Sequence, residues 1–529
     1  MTTKQYLTKS RFVAGQTCPL RLWFSVYDKQ PKSANVPGSP SDIGIKIGEK
    51  ARALFANGVL VGSLSHKDAI TQTDELLNQK FSQTIFEAAL EFQSVRVRID
   101  VLERLPGNKW RIVEVKSSTS IEPHHLDDLA VQYFVAHGCG LDVVSTQIMY
   151  PDKDYVRSFG GVDWLSYFTT KEKLTEVKAL QDKVKQSIVE QLTVLEQTNA
   201  PKVVPMANNE LCRKVGNCDY WAKCTMDMPL DAVDRLNRID KKVVKDLKSR
   251  GVNAIGDLLE VDVMALKPKQ LNQYKALISG DSYVSSSLCK ELEDFAPPAH
   301  YLDFEFTLCK IPLHPNMQTN ELIAFQWSSH FVDSRNELMA LSVRECMAFS
   351  PDDRLNYHNE FLADEDGDPS RSCAEALLAV LDNDKYPILV YNKTAETRAI
   401  KSLAIRVPDL AKPLLDLLPR LRDLYPLVEN NTFLVDYFKK PLSLDSGTFS
   451  IKNTAPAFDT DFDYANLQGI NKGAAAGDSY YRLLTGELMS GETNEGLRKS
   501  LLEYCKYDTT AMIVLHKGLL SLVSGGQNR

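Results

Sequence analysis

The chain has 529 residues, 43% of them hydrophobic and 25% charged. At roughly 150 residues per domain, that length predicts three or four domains with cores of their own and excludes a disordered chain. No run of about 18 apolar residues occurs, so a helical membrane span is excluded, and 62 Lys and Arg against 69 Asp and Glu leave a net charge of −7, too acidic for nucleic-acid binding by bulk charge. Local grooves, rather than net charge, set the field that a substrate meets. The polar stretch Met1 to Ser10 lacks the apolar segment of a signal peptide, so a cytoplasmic protein is expected. In that compartment the ten cysteines argue against a disulfide framework.

Taken in chain order, the pattern predicts a helical segment from Phe12 to Tyr27, then a Pro/Ser/Gly-rich loop from Pro31 to Pro40. Residues 92–117 read as a β-hairpin, with Val95, Val97, Ile99 and Val101 on one face and Pro106-Gly107-Asn108 as the turn. Helices are expected over His125 to Ala136 and Thr170 to Gln197. Residues 231–290 read as helical and locally basic, with Lys241, Lys242, Lys245, Lys248 and Arg250 opposed only by Asp246. Pro297-Pro298 marks a linker. Beyond it, His300 to Thr307, Glu321 to Phe331 and Pro387 to Tyr391 read as strands, and helices dominate to Leu522. The expected division is a domain over 1–228, a helical linker over 229–296 and a third region over 297–529, an α/β multidomain chain.

Two groups of acids stand out. Asp100 ends the first hairpin strand, and Glu114 and Lys116 lie two apart on the return strand, hence on one face. Two carboxylates can bind a hard cation such as Mg²⁺ or Mn²⁺, and a lysine beside them can orient water or meet developing negative charge. The second group opens with Asp303 and Glu305, two apart on a strand. Tyr504 and Asp508 lie one turn apart on a helix, and Glu396 sits where a buried strand enters a helix, with Asp423 as the alternative acid. Four acids from three elements can hold two metal ions about 4 Å apart, the arrangement for in-line attack on phosphate, with Tyr504 orienting the water.

A third group is Cys212, Cys218 and Cys224, with Cys18 far upstream in Cys18-Pro19-Leu20-Arg21. Thiolates in such a set suit an iron–sulfur cluster or zinc.

The order Asp100…Glu114-Val115-Lys116 resembles the PD-(D/E)xK nuclease superfamily. Leu126-Asp127-Asp128-Leu129-Ala130-Val131-Gln132-Tyr133 is similar to the glutamine-bearing helix of its RecB-like branch, which implies that Gln132 positions substrate or water. The helix that carries G-x-x-x-H in that branch reads Gly44-Ile45-Lys46-Ile47-Gly48 here, without the histidine. Cys18 and Cys212 to Cys224 flank this core as in the iron–sulfur nucleases related to CRISPR-associated RecB-like enzymes, which implies a 4Fe-4S cluster; the first gap between the close cysteines is longer than in that group. The second acid set resembles the DEDD exonucleases of the ribonuclease H-like fold, tyrosine subclass, with Glu396 where that group has aspartate. Asp246 to Leu259 is similar to a helix-hairpin-helix unit.

With Tyr391-Asn392 and Ser446-Gly447-Thr448-Phe449-Ser450-Ile451-Lys452, the whole resembles a bacterial family of unknown function that joins the two nuclease types. In that family Lys452 would lie near the substrate. The resemblance implies a nuclease with two phosphodiester-hydrolysing sites, the second a 3′→5′ exonuclease, using Mg²⁺ or Mn²⁺. It favours DNA over RNA, and a partner protein in DNA repair or phage defence. Two alternatives are a nucleic-acid-binding adaptor with degenerate sites and a redox or metal sensor.

Overall fold

The computed structural model describes residues 5–28, 35–63, 65–79, 84–203, 212, 218–349, 357–438, 449–459, 462–467, 469–470 and 473–526. The chain forms two compact units, one of Met1–Val203 with Cys309–Glu321, the other of Val204–Leu308 with Leu322–Arg529. Residues 31–34 of the expected Pro-rich loop and 446–448 of the Ser/Gly motif lie outside the described residues.

The first unit is a seven-stranded sheet with helices. Its elements are β1 (Leu7–Thr8), α1 (Lys9–Thr17), α2 (Pro19–Tyr27), α3 (Pro40–Arg52), β2 (Gly58–Leu60), α4 (His66–Leu77), β3 (Thr84–Phe92), β4 (Val95–Leu105), β5 (Lys109–Val115), α5 (Pro123–Gly138), β6 (Asp142–Pro151), β7 (Phe168–Glu172) and α6 (Gln181–Glu196). The strand order is β2-β3-β4-β5-β6-β7, with β1 also on β4. The helical segment expected over 12–27 breaks at Cys18, because Pro19 starts α2 at its first turn, where a missing N–H costs nothing.

The hairpin forms as the turn chemistry requires: Gly107 (φ 77°) and Asn108 (φ 59°) take the left-handed conformations of a tight turn. Its alternation, however, breaks at Asp100. Val95, Val97 and Ile99 pack with Leu129, Val131 and Val135 of α5. Val101, expected on the same face, packs with Ile47, Phe86 and Val113 instead. On the neighbouring strand the residue between Phe86 and Ala88 is Glu87, with φ 55°, so the pleat is distorted opposite Asp100. A second correction falls on 170–197. That stretch opens as the end of β7, paired with β6 through Ile148↔Lys171 and Gln147↔Glu172, and becomes helical only at Leu174.

In the second unit, α7 (Lys241–Ser249) and α8 (Pro268–Ser279) precede a short strand, β8 (Tyr283–Val284). A five-stranded sheet follows, in the order β11-β10-β9-β12-β13. Its strands are β9 (Ala299–Cys309), β10 (Glu321–Val332), β11 (His358–Leu362), β12 (Ile388–Val390) and β13 (Leu421–Asp423). β9 and β13 flank β12 in parallel, and β11 runs antiparallel to β10. Leu302 and Phe304 of β9 pack on one face with α9 (Ser370–Leu381) and α10 (Lys393–Arg406). Tyr301 packs on the other with Met512 and Leu515 of the last helix. Asp303 and Glu305 alternate with the former pair and so share the face of Tyr301.

The helices that follow are α11 (Leu424–Asn431), α12 (Ile451–Phe458), α13 (Gly473–Thr485) and the 33-residue α14 (Asn494–Gly526), and β14 (Thr432–Phe433) pairs with β8. The basic run of α7 is partly spent inside the unit. Lys248 makes a 2.6 Å ion pair with Asp234, the two side chains 5% and 0% exposed, and Arg250 pairs with Asp246 at 3.0 Å and Asp262 at 2.8 Å.

Candidate metal centres

In the first unit, β1 and β5 lie along the same edge of β4. β1 pairs with Val95 and Arg96, and β5 with Val101 to Leu105. Both must use the edge opposite β3, because β3 already pairs with these residues. A gap therefore opens between β1 and β5 beside Asp100. Past Val113 the end of β5 leaves β4, and the Asp100 carboxylate accepts the Val115 amide N–H at 2.8 Å. Glu114, 1% exposed, points into this gap.

The carboxylate of Glu114 accepts hydrogen bonds from Lys116 Nζ (2.7 Å), Gln132 Nε2 (2.7 Å) and Lys9 Nζ (3.0 Å to Oε1, 3.2 Å to Oε2). Lys116 also donates to Asp128, one turn before Gln132 on α5. Burial acts to raise the Glu114 carboxyl, but Lys9, Lys116 and Gln132 outweigh it and hold the group well below its ordinary range. Asp100 goes the other way, pushed up to about 7 by burial and by Glu114, with Lys9 and the Val115 amide opposing. Gln132 is fully buried and its Oε1 has no hydrogen-bond partner. A buried acceptor left open beside two carboxylates suits a metal-bound water as donor.

All four sequence-predicted residues, Asp100, Glu114, Lys116 and Gln132, thus meet at one place. Lys9 and Asp128 join them and were missed. Asp128 carried a usable signal, its i, i+4 spacing from Gln132. Lys9 carried none, being 105 residues from Glu114. Gly48 lies on α3, and a Cβ built there meets nothing within 4 Å.

In the second unit, ligand oxygens of Asp303, Glu305 and Asp508 lie within 4.8 Å of one another, a set that can take a metal ion. Asp303 and Glu305 come from β9, and Asp508 from α14. Burial raises all three carboxyls, and their mutual repulsion adds to it for Asp303 and Glu305. Lys452 opposes the shift at Glu305 and Asp508. Tyr464 donates its hydroxyl to Asp508. Lys452 Nζ donates to Tyr504 Oη at 3.1 Å and lies over the rings of Tyr464 and Tyr504, 4.9 and 5.1 Å from their centroids. Because an ammonium only donates, it takes a lone pair of Tyr504 and leaves the phenol proton to point elsewhere.

Glu396 lies in the first turn of α10, just after Asn392 turns the chain at φ 79°. It is 2% exposed, its Oε2 has no partner, and burial lifts its carboxyl to about 8. It adds repulsion to both Asp303 and Glu305. Asp423 is employed otherwise: it accepts the amides of Asn392, Lys393 and Tyr425, each at 3.0 Å, and so fastens the starts of α10 and α11. That occupation separates the two acids the sequence left as alternatives. Tyr464 had no sequence signal.

Among the described residues, no group of His, Cys, Asp or Glu ligand atoms that close includes Cys18, Cys212, Cys218 or Cys224. No helix among the described residues is long and apolar enough to cross a membrane.

Residues 300–443 match a family model described as a domain of unknown function, DUF2779. That segment contains Asp303, Glu305 and Glu396, and ends before Tyr504 and Asp508. No curated protein matches the chain. The structure is similar to a solved one described as "Crystal structure of SSO0001", with a TM-score of 0.20 and 11% identity, over 41% of this chain and 89% of that chain.

Proposed function

We propose that the protein is a metal-dependent nuclease with two phosphodiester-hydrolysing sites, acting on DNA in preference to RNA. The observation that carries this reading is the close set of half-buried Asp303 with buried Glu305 and Asp508, with the partnerless Glu396 Oε2 close enough to raise two of them. Carboxyls so crowded and so little compensated call for a cation. A bound Mg²⁺ or Mn²⁺ supplies an acidified water and neutralises charge on phosphate. Around it, Tyr504, held by Lys452, orients the water, and Tyr464 fixes Asp508. The β11-β10-β9-β12-β13 order, with acids on the central β9, supports a ribonuclease H-like exonuclease domain of the DEDD type.

In the first unit, Asp100 and Glu114 are the cation ligands of this reading, Lys116 meets charge on the phosphate, and Gln132 Oε1 accepts from a water. An acid at a strand end, facing Glu-x-Lys across a gap beside a glutamine-bearing helix, supports the PD-(D/E)xK assignment. A 4Fe-4S cluster on Cys18, Cys212, Cys218 and Cys224 belongs to the proposal through sequence order alone. So does a role in DNA repair or phage defence. A second reading, in which the first unit binds nucleic acid without cutting it, draws support from Lys9 lying on Glu114 and from Gly48 in place of a histidine.

The test is digestion of end-labelled single- and double-stranded DNA and RNA with Mg²⁺ or Mn²⁺ by wild type, Glu114→Gln, Asp303→Asn and the double variant. Each single variant is expected to lose its own class of products. If wild type and the single variants cut identically, or nothing is cut at all, the proposal fails. Loss in Asp303→Asn alone supports the binding-only reading of the first unit.

A further inference from the structure

Lys9 does not reach Glu114 by chance of a long side chain. Leu7 and Thr8 are registered against Val95 and Arg96, and Thr8 caps α1 by accepting the Arg11 amide at 3.2 Å. The backbone that carries Lys9 is thereby fixed at the mouth of the gap between β1 and β5. From there the ammonium spans both oxygens of Glu114, at 3.0 and 3.2 Å, and lies 3.7 Å from Asp100. It occupies the oxygens on which the proposed function places a cation. A Mg²⁺ ion sits about 2.0–2.1 Å from its oxygen ligands. An ammonium already bonded to both oxygens of one ligand and facing the other leaves no such approach, and two like charges would share one buried pocket.

We propose that Lys9 is a resident counter-ion of the first site, which a divalent cation must displace in order to bind Asp100 and Glu114. The inference rests on the reading of those two acids as cation ligands. Charge balance agrees with it. The carboxylates of Asp100, Glu114 and Asp128 are matched by Lys116 together with one dication, and Lys9 in addition leaves an excess positive charge. The exit exists too: the Lys9 side chain is 23% exposed, and its four-carbon stem can swing the ammonium into water. In the second unit Lys452 donates to Tyr504 and lowers the carboxyls of Glu305 and Asp508 by its charge. The first site should therefore load cation more weakly than its own ligands allow, and Lys9 sets the deficit.

The experiment is Mn²⁺ binding by calorimetry to the full chain carrying Asp303→Asn and Asp508→Asn, which silences the second site. Added to this background, Lys9→Met is expected to tighten binding on the order of tenfold or more, the scale on which groups around metal ligands tune affinity. Lys9→Arg should keep the weak affinity. Lys9→Gln, neutral but able to hydrogen-bond Glu114, should behave as Lys9→Met and replaces it if that variant unfolds. Equal or weaker Mn²⁺ binding in the neutral variants overturns the inference while leaving the cation site in place. Absence of any binding that Glu114→Gln abolishes, in the background and in Lys9→Met alike, overturns both the inference and the cation reading of the first unit.

Discussion

In the first unit, Asp100, Glu114 and Asp128 sit among two ammonium groups, Lys9 and Lys116, within hydrogen-bonding or ion-pairing distance. In the second, Glu305, Asp508 and Glu396 are buried with Asp303 half-buried beside them, and Lys452 is the cation that lowers the carboxyls of Glu305 and Asp508. The consequence differs most at Glu114, since Asp100, up to about 7, and Asp128 are raised as the acids of the second unit are. Glu114 is held ionised, whereas the second set is driven toward protonation, Glu396 up to about 8. One carboxylate of a buried set can thus be kept charged by lysines beside it, as Glu114 is, or a set can be left with little compensating charge. The first site, on the function proposed above, should be the harder to load. The second, on the same proposal, should bind metal more tightly than the first.

The largest expected effects are on catalysis. Tyr504→Phe should lower second-site products about 100-fold, because it removes the hydroxyl that orients water while leaving the acids in place. Gln132→Ala should lower first-site products by about 10–100-fold. Product-resolved digestion checks both, and each variant should spare the other site's products. If either variant depresses both product classes equally, the sites are not separate.

Next comes cation-linked stability. Saturation of the second site at 100 times its dissociation constant should raise stability by about 2.7 kcal/mol, measured by thermal unfolding with and without Mn²⁺. The gain should vanish in Asp303→Asn/Asp508→Asn and persist in Glu114→Gln. The reverse pattern would exchange the roles assigned to the two units.

A smaller effect is the pH slope of the metal-free protein. Carboxyls raised above their unfolded values favour the folded state at low pH, and that contribution is lost as pH rises through the folded values. For Glu396 the window runs from about 4.5 to about 8. Stability of the second unit should fall across it, by up to about 1.4 kcal/mol per pH unit for each proton so held. Asp303→Asn should flatten the slope. Glu114, lowered, contributes in the opposite sense: its stabilisation is present above about 4.5 and lost as pH falls below that. A metal-free protein whose second unit grows more stable from pH 5 to 8 would break the comparison. The least energetic prediction is compositional. Anaerobically purified protein should contain iron and sulfide that fall together in Cys218→Ser, and a colourless preparation with one zinc per chain would refute the cluster.

The parts of this comparison that were legible in the sequence are those written locally. The hairpin carries its own turn residues and a clean alternation, so Asp100 and Glu114-x-Lys116 could be set side by side. Asp303-x-Glu305 and Tyr504-x-x-x-Asp508 each follow from one period, that of a strand and that of a helix. The decisive charges were not local. Lys9 reaches its carboxylates through a two-residue strand paired parallel to β4, a contact no periodicity announces. Glu396 and Asp423 are equivalent in sequence, and only the capping of two helices by Asp423, a contact made in three dimensions, distinguishes them. The face switch at Asp100 arises from Glu87 on the neighbouring strand, which a reading of β4 alone cannot contain. Thr170 to Glu172 read as helix in the sequence because charged residues continue beyond them, and only the pairing with β6 shows that they end β7.

On the function proposed above, Asp303, Glu305 and Asp508 form a cation site that trades protons for metal. The most direct measurement is calorimetric titration of the full chain with Mn²⁺ at pH 7.5, in two buffers of different ionisation enthalpy, for wild type and Asp303→Asn. The account predicts binding that depends on Asp303 and releases protons to the buffer. Binding that is unaffected by Asp303→Asn, or that proceeds with no proton release, would contradict it.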